Sequence, residues 1–242
     1  MRRVARLTGT LMIAAGIGAV IWVVLVWQWQ DPFTALYTKY EQHKLASRFS
    51  HRFADYKPPA TIRPVTKEPD GSVSVDAERT RIRAEATAYR HALKEGDPVG
   101  RLIVPRLGLK SIVVNGTGHD DLTKGPGRDL RTYMPGQGEL IYIAGHRTTY
   151  LAPFSHIDSL RPGDPITFVL PYGTFHYEVT GHRIVPADDL SVLKTHHREQ
   201  LVLQACHPRF FATHRYLAYA KLVKVEPRDG SPYTVGSSGP IA

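Results

Sequence analysis

The sequence predicts an all-β domain closed into a barrel and carried behind one apolar N-terminal helix. From Val99 onward, short apolar runs alternate with turn signals roughly every 8 to 15 residues, the spacing of an antiparallel β domain. About 125 residues hold seven or eight such runs and few helical patterns, which suits a closed barrel of eight strands with short helices. Residues 7–30 carry no charged side chain, and about 20 apolar residues are enough to cross a bilayer as a helix.

The elements follow in order. Leu11 to Trp27 is the apolar centre of the first helix. Arg2, Arg3 and Arg6 precede it, which predicts a cytoplasmic N-terminus and an extracellular remainder. Trp27 and Trp29 stand where an interfacial belt belongs. Bulky Trp27-Gln28-Trp29-Gln30 follows in place of a small-residue cleavage site, so an uncleaved anchor is favoured over a signal peptide. Residues 1–30 are thus read as a cytoplasmic stub and anchor. Asp31-Pro32 is a helix start, a capping residue followed by proline at the first helical position. Phe33, Leu36, Tyr37, Tyr40, Leu45, Phe49 and Phe53 recur at roughly helical spacing, which predicts a juxtamembrane helix over 31–56. Its aromatic stripe suits either lipid or the folded domain, with packing the plainer expectation. Residues 57–75 are rich in Pro, Thr, Lys, Gly and Ser and read as a linker. Residues 76–98 contain a second helix expected to pack on the barrel of residues 99–225. Strands are predicted at Leu102–Val104, Ser111–Val114, Leu140–Ala144, Ile166–Leu170, Thr174–Val179, Gln200–Gln204 and Arg215–Val223, and a flexible tail over 226–242.

The chain of 242 residues has a formal net charge of +9. The basic residues are scattered, with no stripe interleaved with aromatics, so nucleic acid is not an expected partner. Diffuse positive charge suits work beside anionic lipid and cell-wall polymers.

Cys206 is the single cysteine. Outside the cytoplasm it cannot form a disulfide within one chain, so it is either an inert core thiol or a nucleophile. A thiolate nucleophile needs a base or a cation beside it. Of the 12 histidines, His146 has the best setting, because it follows the strand Leu140–Ala144 as Cys206 ends another. Two such side chains can meet at one rim of a barrel, and Gly145 permits close approach. His207 is adjacent to Cys206, but neighbours on an extended strand face opposite ways. His156, His176, His182, His196, His197 and His214 read as surface residues. Arg215 begins the strand after Cys206, where a hairpin would return it to the same rim. It could serve an oxyanion, yet spacing alone favours a solvated strand-end arginine.

A set of ordered motifs adds to these readings. They are Asn115-Gly116-Thr117 with Leu122-Thr123-Lys124-Gly125-Pro126-Gly127, then Ala144-Gly145-His146-Arg147-Thr148-Thr149-Tyr150 with Ala152-Pro153-Phe154. Leu160-Arg161-Pro162-Gly163-Asp164, Cys206-His207-Pro208 and Arg215 before a terminal strand complete them. Across residues 99 to 225 the sequence resembles the sortases, most closely the actinobacterial class E type. The resemblance implies a sortase β-barrel and a cysteine transpeptidase, with Cys206 as nucleophile, His146 as acid/base partner and Arg215 as stabiliser of oxyanion or substrate. It implies cleavage after threonine in a Leu-Pro-x-Thr-Gly or Leu-Ala-x-Thr-Gly sorting signal at the C-terminus of surface proteins. The acyl group would pass through a thioacyl-enzyme to an amine of a peptidoglycan precursor or pilin. No cofactor or metal is implied, since no acidic cluster suggests the calcium site of some class A members. Papain-like hydrolases place cysteine before histidine, the reverse of this order, and the Ser-His-Gly-Cys motif of L,D-transpeptidases is absent.

One departure stands out. The common Thr-Leu-x-Thr-Cys is here Val202-Leu203-Gln204-Ala205-Cys206, so Ala205 removes a hydroxyl beside the nucleophile. This keeps open an alternative, a weak or inactive barrel that binds sorting signals and scaffolds assembly. Tyr133, Ala205 and His207 are the candidate substrate-binding residues.

Overall fold

The computed structural model describes residues 2–29, 32–62 and 74–235. Eight strands close into a barrel: β1 (Pro98–Val104), β2 (Leu109–Asn115), β3 (Gly127–Arg128), β4 (Leu140–Ala144), β5 (Pro165–Leu170), β6 (Gly173–Pro186), β7 (Gln200–His207) and β8 (His214–Pro227). Around the ring the order is β6-β5-β1-β2-β3-β4-β7-β8, and β6 pairs with β8 to close it. The pairings β2–β3 and β4–β7 are parallel and the others antiparallel.

Several strands read as unbroken apolar runs because both of their faces are covered. On β4, Ile141 and Ile143 enter the barrel core, while Leu140 and Tyr142 join a second cluster outside with Val185, Val202 and Leu217. On β2, Val113 faces inward, and Ile112 and Val114 lie under a helix. That helix is α2 (Pro32–Ala54), which follows α1 (Arg2–Trp29). Leu45 and Phe49 of α2 bury against Ile112 and Val114. Gln42 acts like a strand edge, its Oε1 accepting from Ile112 N at 2.8 Å and its Nε2 donating to Ile112 O at 3.0 Å. Arg48 and Arg52 pair with Asp97 at 2.5 and 3.0 Å. The predicted aromatic stripe therefore divides. Its C-terminal half packs on the barrel, whereas Phe33, Leu36, Tyr37 and Tyr40 are exposed.

α3 (Val75–Ala92) begins at Ser74, whose hydroxyl accepts from Ala77 N. Its Ile82, Ala86 and Tyr89 enter the main core, and Tyr89 donates to Val99 O at 2.8 Å. A short helix α4 (His119–Leu122) follows β2. Arg3–Val24 of α1 is long and apolar enough to cross a membrane, and none of it is buried by the rest of the chain.

Three expectations need adjustment. β6 and β8 each run for 14 residues, longer than their sequence patterns suggest, because they pair along their full length. Residues 226–235 of the expected tail are structured: β9 (Tyr233–Thr234) pairs with Lys224 and Val225, Tyr233 is buried, and Ser231 N donates to Glu78. The predicted linker falls largely on residues 63–73, and the helix-capping Asp31 and the Trp27 and Trp29 side chains likewise lie outside what the structure describes.

Candidate active site

The parallel pairing of β4 and β7 places His146 beside Cys206. Ala144 is opposite Gln204, and Gly145 N extends the ladder to Gln204 O at 3.0 Å. Side chains alternate with a period of two. Two residues past Ala144 is His146, and two past Gln204 is Cys206, on the same face. The antiparallel pair β7–β8 sets Cys206 directly opposite Arg215, and directly opposed residues share a face. Cys206 thus sits between His146 and Arg215 on adjacent strands. All three line one groove of about 280 Å³, floored by Tyr142, Ala144 and Gln204. The segment after β6, with Ala187, Leu190 and Leu193, forms one wall. The groove lies on the outer face of the barrel at the strand ends, since Leu203 and Ala205 take the inward positions on β7.

The glycine before His146 has a specific reason to be there. A Cβ at Gly145 would lie 2.6 Å from the Phe154 ring, and Phe154 is wholly buried. Ring packing, not backbone approach, is what the missing side chain permits. His146 Nε2 is buried and has no hydrogen-bond partner among the described residues. Burial, then the nearby His119, push the imidazole below its ordinary 6.5, so it is neutral at pH 7. Tyr150 lies against it, the rings 5.0 Å apart and tilted by 36°.

Arg215 is not a solvated strand end. It is half-buried, and its Nη1 donates to Ala212 O at 2.8 Å in the β7–β8 loop and to His214 O at 3.0 Å at the start of β8. One face of the guanidinium fork is therefore anchored while the side chain borders the groove.

The structure does not bring the three candidate substrate residues to the groove. Tyr133 packs under Arg90 of α3, with the guanidinium 4.6 Å from its ring centre. Ala205 is 0% exposed and points into the barrel core. His207 turns to Arg147, whose Nη1 donates to its Nδ1 at 3.0 Å.

Sequence reasoning missed Arg147. Its side chain is 4% exposed, ion-pairs with Asp158 at 2.8 Å and donates to the Cys206 carbonyl at 3.3 Å. It joins the loop that carries His146 to the end of the strand that carries Cys206. Its adjacency to His146 was the available signal. Among the described residues no three of His, Cys, Asp or Glu are grouped to hold a metal ion. The arrangement is that of a thiol flanked by a neutral base and a fixed cation, which suits acyl transfer.

A sortase domain model matches residues 102–223, half of the chain. The chain belongs to the sortase family. Sortases are cysteine transpeptidases, and relatives and folds agree with the assignment. Sortase D of Bacillus subtilis (strain 168) is 36% identical over 132 residues, which is 53% of this chain and 65% of that protein. Sortase SrtE1 of Streptomyces coelicolor is 31% identical over 116 residues, 43% of this chain and 32% of that one. The matched stretch thus spans less than two thirds of either relative. Among solved structures, sortase E1 of Streptomyces coelicolor with a tripeptide in its active site superposes with a TM-score of 0.52 at 26% identity, covering 57% of this sortase and 95% of that chain. A Clostridium perfringens sortase D5 transpeptidase shares the fold, with a TM-score of 0.58 at 23% identity over 76% of this chain and 98% of its own.

Proposed function

We propose that the chain is a membrane-anchored transpeptidase in which Cys206, His146 and Arg215 carry the chemistry. The supporting observation is the register that sets these three side chains on neighbouring strands along one groove. His146 takes the Cys206 thiol proton as the sulfur attacks the threonine carbonyl of a Leu-Pro-x-Thr-Gly-like or Leu-Ala-x-Thr-Gly-like signal. Arg215 stabilises the oxyanion, and His146 gives a proton to the departing glycine amine as the carbon–nitrogen bond breaks. A thioester remains on Cys206. An incoming amine, from a cell-wall precursor or a pilin lysine, attacks that carbonyl, His146 takes its proton, and the Cys206 thiolate leaves. The amide bond energy is retained in the thioester and returned to a new amide.

The inward position of Ala205 favours this reading over an inactive binding barrel. Ala205 faces the core, so the replacement takes nothing from the groove wall. Class E membership draws support from the two Streptomyces coelicolor comparisons, beside a sortase D relative of higher identity. Arg3–Val24 supplies the anchor, with the N-terminal arginines held in the cytoplasm and the barrel outside.

The test incubates the full chain in detergent with sorting-motif peptides and a soluble amine. The expected product joins the peptide up to threonine to that amine. Binding of the peptides without cleavage of any of them would support the scaffold instead.

A further inference from the structure

The exposed half of α2 is not explained by the barrel. Phe33, Leu36, Tyr37 and Tyr40 stand at i, i+3, i+4 and i+7, one face of the helix, with 71%, 69%, 46% and 62% of their surface exposed. The opposite face is fully used, since Thr38 donates to Thr123 O at 2.7 Å and Gln42 and Leu45 seat on β2. Four large apolar or aromatic side chains in one stripe are costly to leave in water.

The neighbouring helix indicates what covers them. The Phe33 ring lies 6.0 Å from the Trp22 ring, and Trp22 belongs to the span Arg3–Val24. If α1 crosses the bilayer, Phe33 is held near the outer end of the crossing. Leu36, Tyr37 and Tyr40 continue from it over about 10 Å of helix. Tyrosine and phenylalanine suit the headgroup boundary, and the exposed Lys39 beside them suits anionic lipid, while Lys44 is paired with Glu41 at 3.0 Å. Lys44 Nζ sits 5.2 Å from the Tyr40 ring centre.

We infer that this face of α2 lies in the outer headgroup region of the phospholipid bilayer and holds the barrel against the membrane. The inference rests on α1 being a span. It has a consequence for the site, because α2 reaches the His146 loop. Thr34 Oγ1 accepts from Tyr150 N at 3.3 Å, and the Tyr150 ring packs on His146. The groove is then fixed close to the bilayer surface, on the side where membrane-bound substrates would arrive.

The experiment uses the full chain with Cys206→Ala in vesicles of phosphatidylglycerol and phosphatidylethanolamine. Nitroxide labels are placed one at a time at Leu36→Cys, Tyr40→Cys, the exposed His196→Cys and, within α1, Ile17→Cys. Accessibility to oxygen and to a water-soluble nickel chelate is read for each. The expected result is a several-fold higher oxygen-to-nickel ratio at 36 and 40 than at 196. A water-like ratio at either position, with position 17 in lipid, overturns the interfacial helix and leaves the anchor intact. Low access to both reagents at 36 and 40 shows a protein partner on the stripe and also overturns it. A water-like ratio at position 17 as well would remove the anchor itself.

Discussion

Replacing Arg147 by methionine tests whether the site depends on a tie between its two halves. The side chain is 4% exposed and donates to the Cys206 carbonyl and to His207 Nδ1. Methionine fills much of the volume and donates nothing. The part-buried carbonyl and ring nitrogen then lose a charged donor, at about 1.5–3 kcal/mol each. Asp158, with its side chain 56% exposed, returns to water at little cost. Relief from burying a cation offsets part of the loss. The net expectation is about 2–4 kcal/mol, which corresponds to a fall in Tm of about 5–15 °C for a chain of this size. The end of β7 is also freed relative to the His146 loop, and misplacement of reacting groups by about 1 Å can cost about a hundredfold in rate. Thermal unfolding in detergent, the rate of Cys206 alkylation by iodoacetamide across pH, and peptide turnover form the assay. Arg147→Lys should recover little, since one ammonium cannot bridge the three partners. Asp158→Asn should stay within about 1 kcal/mol of the parent, as expected for a pair open to water. A methionine variant with an unchanged Tm and an unchanged alkylation profile would refute the reasoning.

The other expectations follow from the same geometry. Gly145→Ala drives a methyl group into the Phe154 ring, so it should cost about 1–3 kcal/mol and most of the activity; a folded, fully active variant would contradict this. His146 should titrate below 6.5 in a nuclear magnetic resonance titration, because burial disfavours its cation. The unfolded chain then binds the extra proton more readily, so this contribution to stability is present above pH 6.5 and fades as the pH falls below it. A midpoint at or above 6.5 would contradict the burial. Phe49→Ala empties the contact between α2 and β2 and should lower stability by about 3–5 kcal/mol, read as a drop in Tm, whereas no change would mean that α2 does not brace the barrel.

The barrel was legible because its strands announce themselves by apolar runs between turns. Their register was not, and register is what assembles the site. The sequence places His146 and Cys206 at strand ends, but only the parallel pairing of β4 with β7 shows that the ends coincide. β3 and β9 were invisible because two residues carry no period, and Tyr233 is fixed by a partner strand rather than by local pattern. The surroundings of Tyr133 were hidden for a related reason. Position in a motif does not say that Arg90 of a distant helix will cover the ring. Ala205 shows the reverse case, in which alternation along β7 already implied that its side chain and that of Cys206 face opposite ways.

The central claim is that Cys206, flanked by His146 and Arg215, is the acyl-accepting atom of this sortase. Its most direct measurement is intact-protein mass spectrometry of the full chain after brief exposure to a sorting-motif peptide without added amine. The account predicts a mass increase equal to the peptide acyl fragment ending in threonine, mapped to Cys206 and released by hydroxylamine. It predicts that the adduct is absent in Cys206→Ala and forms far more slowly in folded His146→Ala and Arg215→Ala. Peptide cleavage that persists in Cys206→Ala, or an adduct on any other residue, would contradict it.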